Sequence, residues 1–197
     1  MMKRILIILA ITFSAALTSE AAEKGYEKRI EGYAFAGLTD QFKSIFGISM
    51  INGWRITPGS YLGVGTGFEY SNCWYISRMK GNQYAPQYMI PVFGEYKFNF
   101  RNGKNPSPYL LFDAGWVFNA SGKDEEDIET KALYGLMAST RFGIDVKIND
   151  GISIFGAVGP RLQHTRRTNK FPLYGEWEYE YIHNYVTCIC IHIGIIF

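Results

Sequence analysis

The last thirteen residues of the sequence, YVTCICIHIGIIF (185–197), alternate between two sets of side chains with a period of two. Because successive side chains of a β-strand point to opposite faces, this pattern predicts a strand with one apolar face. The apolar set holds Tyr185, Thr187, Ile189, Ile191, Ile193, Ile195 and Phe197. The other set holds smaller or more polar residues, among them Cys188, Cys190 and His192. The apolar face therefore extends over the whole segment.

Seven further segments show the same alternation and are bounded by clusters of Gly, Pro and Asn, without competing helical periodicity. The eight predicted strands lie near residues 29–39, 44–56, 61–71, 88–100, 107–119, 133–148, 151–164 and 185–197. The first connection and those after the even-numbered strands are short, whereas long loops are expected near 72–87, 120–132 and 165–184. Short turns at one end and mostly long loops at the other predict an all-β, eight-stranded antiparallel up-and-down β-barrel.

The first 21 residues predict a secretory signal peptide rather than part of the fold. A basic start, MMKR, precedes the apolar run ILIILAITFSAALT, and SEA supplies small residues at the predicted cleavage site after Ala21. Residues 22–197 are then the barrel, and they contain no apolar run of about 18 residues that would form a membrane helix. The formal charge of +2 gives no indication of a nucleic-acid partner.

The glycines decide which face of the strands lines the barrel. A soluble lipocalin-like barrel would enclose its apolar face, whereas a transmembrane barrel turns that face to lipid. Gly63, Gly65 and Gly67 lie on the polar face, and the narrow interior of an eight-stranded barrel needs small residues beside long ones. We therefore expect a transmembrane barrel with polar side chains inside. The predicted lumen charge network consists of Arg55, Glu69, Glu95, Lys97, Asp113, Arg141, Asp145, Lys147 and Arg161.

The last strand is long enough to cross a bilayer, since thirteen residues at about 3.3 Å each, tilted by about 40°, span roughly 30 Å. Aromatic residues on the apolar face collect near both ends of the strands, as expected for two interfacial girdles. The girdle near the short turns consists of Trp54, Phe98, Phe100 and Phe197. The girdle near the long loops consists of Phe46, Tyr70, Tyr88, Trp116, Tyr134 and Tyr185. Asn52 interrupts the apolar face of the second strand.

The signal sequence, the eight segments, the loops long mainly on one side and the terminal Phe197 together resemble the small outer-membrane β-barrels of the OmpA/OmpX-like type. The resemblance covers residues 22–197 and includes the stretch INGWRITPGSYLGVGTGFEY. It implies a location in the cell outer membrane and insertion by the barrel-assembly machinery, with Phe197 as the assembly signal. It implies no reaction.

Two groups of residues suggest chemistry, and both have simpler interpretations. Cys188, Cys190 and His192 share one face, but residues about 6.6 Å apart along one strand cannot converge on a single ion without another strand, so they are interpreted as lumen filling. His164 and His183 lie near the loop-side rim, where a lipid A acyltransferase or deacylase would need a histidine beside a serine or carboxylate. No serine motif accompanies them, so no catalytic, cofactor or metal site is predicted.

The sequence thus favours a barrel plugged by its own side chains that anchors surface loops for adhesion, interaction or envelope integrity. A narrow pore and a lipid A-modifying enzyme are the alternatives. The expected partners are outer-membrane lipid, lipopolysaccharide and a ligand of the loops, such as DEEDIE (124–129) or TRRTNK (165–170). The alternating segment EWEYEY (176–181) keeps the parity of the last strand, which predicts that this strand continues beyond the membrane.

Overall fold

The computed structural model describes residues 25–37, 42–77, 81–100, 105–120, 135–173 and 176–197. Its eight strands are β1 (Tyr26–Gly37), β2 (Phe42–Thr57), β3 (Ser60–Ser77), β4 (Gly81–Asn99), β5 (Ser107–Asn119), β6 (Gly135–Lys147), β7 (Ser153–Leu173) and β8 (Glu176–Ile196). In these ranges no helix is long and apolar enough to cross a membrane. The predicted signal peptide, residues 1–21, lies outside the described residues.

The strands form a closed barrel in which each pairs antiparallel with its sequence neighbours and β1 pairs with β8. Phe197 extends the closing pair, because its backbone exchanges hydrogen bonds of 3.2 and 2.8 Å with Lys28. We call the end that holds the β2–β3, β4–β5 and β6–β7 connections the turn end, and the opposite end the loop end. The predicted eight-stranded antiparallel up-and-down barrel is confirmed.

Burial alternates along the strands, with the apolar face on the outside. In β8, Ile189, Ile191 and Ile193 are exposed, whereas Cys188 and Cys190 between them are buried. Charged side chains are buried in the lumen, including Arg141, which is 1% exposed. A soluble lipocalin-like barrel would have the opposite arrangement, so the structure matches the transmembrane barrel predicted from the glycines.

Glycines of β3 provide space for large side chains inside the barrel. A Cβ on Gly63 would lie 2.6 Å from the hydroxyl of Tyr61, and a Cβ on Gly65 would overlap the ring of Phe93. Gly63 and Gly65 are both buried. Their position inside the lumen, expected from the sequence, is therefore confirmed.

The loop end differs from the prediction, because strands replace two of the expected long loops. The pairing of β3 with β4 continues to Ser77 and Gly81, and that of β7 with β8 continues to Leu173 and Glu176. In such a two-stranded extension the backbone groups between the strands pair with each other, and those on the outer edges are left to water, so the extension suits a position beyond a membrane. The predicted extension of the last strand through residues 176–181 is confirmed, whereas residues 165–170 belong to a strand and not to a loop.

The aromatic girdle residues in the described ranges lie on the outer face. At the loop end, Phe46, Tyr70 and Tyr88 occupy neighbouring positions on three adjacent strands, and the rings of Tyr70 and Tyr88 are 5.6 Å apart. Trp54, Phe98, Phe100, Trp116, Tyr185 and Phe197 are exposed as well. Tyr134 lies outside the described residues.

Asn52 on the outer face has a partner in β1. The hydroxyl of Tyr26 donates a hydrogen bond of 2.8 Å to its side-chain oxygen, and the ring of Tyr26 packs 5.4 Å from that of Trp54. The polar side chain therefore fits into the turn-end girdle without an unsatisfied oxygen.

Candidate functional site

The lumen holds a network of ionised side chains, and Arg141 of β6 lies at its centre. Its guanidinium contacts the carboxylates of Glu31 at 3.2 Å, Glu95 at 3.3 Å and Asp113 at 2.5 Å. The three acids come from β1, β4 and β5, so one cation connects four strands across the barrel. Ser139 donates a further hydrogen bond of 2.6 Å to Asp113. Such charge-assisted contacts with several partners compensate for the removal of these charges from water.

A second cation, Arg29 of β1, lies beside this centre. It is paired with Glu95, lies 3.8 Å from Glu31, and its guanidinium carbon lies 5.0 Å from the ring centre of Phe155. Sequence reasoning missed Glu27, Arg29 and Glu31, because β1 carries charges on both of its faces. The pairing of β1 with β2 and β8 is what places these three residues in the lumen.

Towards the turn end, Lys97 connects Asp145 at 2.5 Å with Glu27 at 3.7 Å and lies 4.6 Å from the ring centre of Tyr109. Arg55 was predicted within the lumen network, but its side chain is 46% exposed and reaches inward only to Glu27, at 2.9 Å. Its position next to the β2–β3 turn leaves the guanidinium at the mouth of the barrel. Arg55 thus belongs to the network only through Glu27, and its side chain is partly exposed at the turn end.

Lys147 was also predicted in the network, and the structure contradicts this. Its side chain is 56% exposed and pairs with Asp150 in the β6–β7 turn at 2.9 Å. This hydrogen bond and the positive charge of Lys147 lower the pKa of the Asp150 carboxyl. Lys147 is the last residue of β6, so its long side chain extends into solvent at the turn end.

Towards the loop end, Arg161 of β7 closes the charged part of the lumen. It binds both oxygens of Glu69, at 2.6 and 3.2 Å, and its guanidinium carbon lies 4.5 Å from the ring centre of Phe35. Tyr33 donates a hydrogen bond of 3.0 Å to the same carboxylate. The lumen is also filled by a cluster of buried apolar side chains: Phe35, Ile45, Met89, Phe93, Val117, Met137 and Val186.

Cys188, Cys190 and His192 face the lumen and contact protein groups there. The thiol of Cys190 donates to the carbonyl oxygen of Gly159 at 2.8 Å. Nδ1 of His192 lies 2.5 Å from the guanidinium of Arg141, and its ring stacks 4.8 Å from that of Tyr33. The same nitrogen lies 3.2 Å from a carboxylate oxygen of Glu31, so His192 packs against both members of the Arg141–Glu31 pair. These contacts agree with the lumen-filling interpretation.

The described side chains leave little empty space around the network. A cavity between the Arg141 and Arg161 groups, lined also by Tyr33, Phe93 and Met137, has a volume of about 10 Å³. This is close to the smallest space that holds one water molecule. The packing can therefore fix the charges in place, but it provides no chamber for a small-molecule ligand at this position.

The two remaining histidines meet on the outer face at the loop end. Nδ1 of His183 lies 3.2 Å from Nε2 of His164, and the rings stack with their centres 5.3 Å apart. His164 comes from β7 and His183 from β8, where the register pairs His164 with Tyr185. In the described residues no three side chains among His, Cys, Asp and Glu form a metal-binding group. We refer to these two residues as the rim histidine pair.

The closed barrel, its outward apolar face and its charged lumen define the fold as that of the small eight-stranded outer-membrane β-barrels. The outer membrane protein AlkL, solved in DMPC lipid bilayers, shares it with a TM-score of 0.60 and 10% sequence identity, over 91% of this chain and 92% of that structure. Neisserial surface protein A (NspA) gives a TM-score of 0.56 and 11% identity, over 88% of this chain and 96% of its own. No protein-family model matches the sequence, and no curated protein matches it significantly.

Proposed function

We propose that the protein is an integral barrel of the cell outer membrane whose lumen is plugged by side chains, and that it anchors and displays the structures at its loop end. The observation that carries this proposal is the occupied lumen, in which Arg141 and Arg161 bind carboxylates from opposite sides of the barrel and the cavity between them is about 10 Å³. A hydrated ion needs a wider continuous path than this packing provides.

The hairpins at the loop end are the parts that the barrel would present outside the cell. The paired strands β7 and β8 extend nine register positions beyond the pair His164–Tyr185, as far as Leu173 and Glu176. Strand pairing holds such an extension in a defined position, which suits adhesion, interaction with a ligand or maintenance of the envelope. The identity of the ligand is open to experiment.

The partners proposed for the barrel itself follow from its surface. Its exposed isoleucines and aromatic girdles are suited to outer-membrane lipid and lipopolysaccharide. Insertion by the barrel-assembly machinery would use β8, whose end at Phe197 is paired with Lys28 of β1. Nothing in this proposal involves nucleic acid or a cofactor.

Planar-bilayer recordings of the purified protein test the plug. We expect no stable open steps, because the ion pairs of Arg141 and Arg161 and the apolar layer around Met89 and Met137 occupy the lumen. Additions of detergent without protein provide the control for transient leaks. Reproducible steps of uniform size from the wild-type protein would contradict the plugged lumen and favour the alternative of a narrow pore.

A lipid A-modifying enzyme is the second candidate, because the rim histidine pair brings two imidazoles together near the proposed membrane surface. In our proposal this pair has no role in acyl transfer or deacylation. Replacing His164 and His183 together by alanine should leave the lipid A profile of expressing cells unchanged, as measured by mass spectrometry at matched expression levels. A profile that depends on the two histidines would reject the display function in favour of the enzyme.

A further inference from the structure

The geometry of the rim histidine pair matches one edge of a metal coordination sphere. Two imidazole nitrogens bound to Zn²⁺ at about 2.0–2.1 Å with a tetrahedral angle between them lie about 3.3–3.4 Å apart. Nε2 of His164 and Nδ1 of His183 are 3.2 Å apart, on adjacent strands whose pairing fixes their spacing. The two rings share a hydrogen bond at this distance, and a bound ion would replace its proton and bond to both nitrogens with little movement of either ring.

The surroundings of His164 determine which of its nitrogens is available. A Cβ on Gly135 would lie 2.5 Å from Nδ1 of His164, so this nitrogen is packed against the start of β6. The ring centres of His164 and Tyr185 are 5.1 Å apart. Nε2 is therefore the nitrogen that faces His183, whose side chain is exposed.

We propose that the rim histidine pair is a binding site for a divalent transition-metal ion of the Zn²⁺, Ni²⁺ and Cu²⁺ class, held by Nε2 of His164 and Nδ1 of His183. Imidazole suits these ions, and water molecules complete the coordination of a two-ligand site. The ion would connect β7 to β8 at the base of the hairpin that they form. This site is independent of the plugged lumen, so either proposal can fail without the other.

The same donors select against hard cations. Ca²⁺ and Mg²⁺ prefer oxygen ligands, and neither His164 nor His183 provides one. Zn²⁺ binding should therefore persist in a large excess of Mg²⁺. Binding that persists in excess Mg²⁺ distinguishes this site from non-specific attraction of divalent ions to acidic segments or to lipid phosphates.

Histidine NMR on the wild-type protein, without an affinity tag, provides the test. The chain contains three histidines, and His192 is buried in the lumen, so it serves as an internal reference. On titration with Zn²⁺ in the presence of excess Mg²⁺, the ring signals of His164 and His183 should shift together with one ion per barrel, while those of His192 stay in place. Unchanged signals of His164 and His183 would overturn the proposal.

Variants show whether the two imidazoles act as one chelating unit. His164→Ala and His183→Ala should each weaken Zn²⁺ binding by about tenfold or more, and the double variant should lose little further, because a chelate needs both ligands. Tyr185→Phe, which keeps the ring beside His164, is the matched control and should bind Zn²⁺ like the wild type. Full binding in either single alanine variant, or a shift confined to His192, would place the ion elsewhere and reject the site.

Discussion

Replacing Arg141 by methionine is expected to lower the free energy of unfolding by about 3–5 kcal/mol, the range measured when one partner of a buried ion pair is removed. The guanidinium is buried and contacts Glu31, Glu95 and Asp113, so its loss leaves negative charges without their main cation. Reversible unfolding in urea, with the barrel in lipid vesicles, measures the difference. Arg29 still pairs with Glu95 and lies 3.8 Å from Glu31, so Asp113, which keeps the hydrogen bond from Ser139, should carry most of the effect.

Two further variants separate electrostatics from packing at this position. Adding Glu31→Gln and Asp113→Asn to Arg141→Met removes the unpaired charges and should recover a large part of the stability. Lys147→Ala breaks an exposed pair with Asp150 and should have no measurable effect. If Arg141→Met changed the free energy of unfolding as little as Lys147→Ala, the buried charges would not need their ion pairs, and the network would do no more than fill the lumen.

The sequence predicts the barrel well because a one-residue shift of any strand would exchange its two faces. In β6, such a shift would move Arg141 to the surface and Phe142 into the lumen, so alternation alone determines which residues face outward. The same argument fails for β1, where Lys28 lies on the outer face between Glu27 and Arg29 on the inner face. Only its pairing with β2 and β8 reveals that the odd-numbered residues point inward.

The sequence alone could not predict the contacts within the lumen. These contacts depend on where each side chain lies along the barrel axis and on where its strand lies around the closed barrel. Glu31 and Arg141 are 110 positions apart and meet across the lumen. Alternation predicts that Arg55 and Lys147 face inward, but it does not show that each lies at the mouth, where a long side chain reaches water. The rim histidine pair was likewise visible only as two separate histidines until the β7–β8 register was known.

Replacing Ile191 by arginine is expected to destabilise the barrel by about 2–4 kcal/mol, the range measured for arginine at the midplane of a membrane barrel. Ile191 is exposed on the outer face of β8, midway between Tyr185 and Phe197 of the two girdles. If these girdles mark the two membrane surfaces, the charge would lie at the centre of the hydrocarbon layer. Urea unfolding in lipid vesicles gives the free energy, as for the Arg141 variants.

Position along the strand provides the control for Ile191→Arg. Tyr185→Arg places the same charge on the same outer face of β8 but at the girdle, where the expected penalty falls to about 0–1 kcal/mol. Both residues are exposed, so loss of packing inside the barrel does not contribute to either value. A penalty that depends on depth requires hydrocarbon around the barrel, whereas equal and small penalties at Ile191 and Tyr185 would mean that water surrounds this face and that the strands do not cross a membrane.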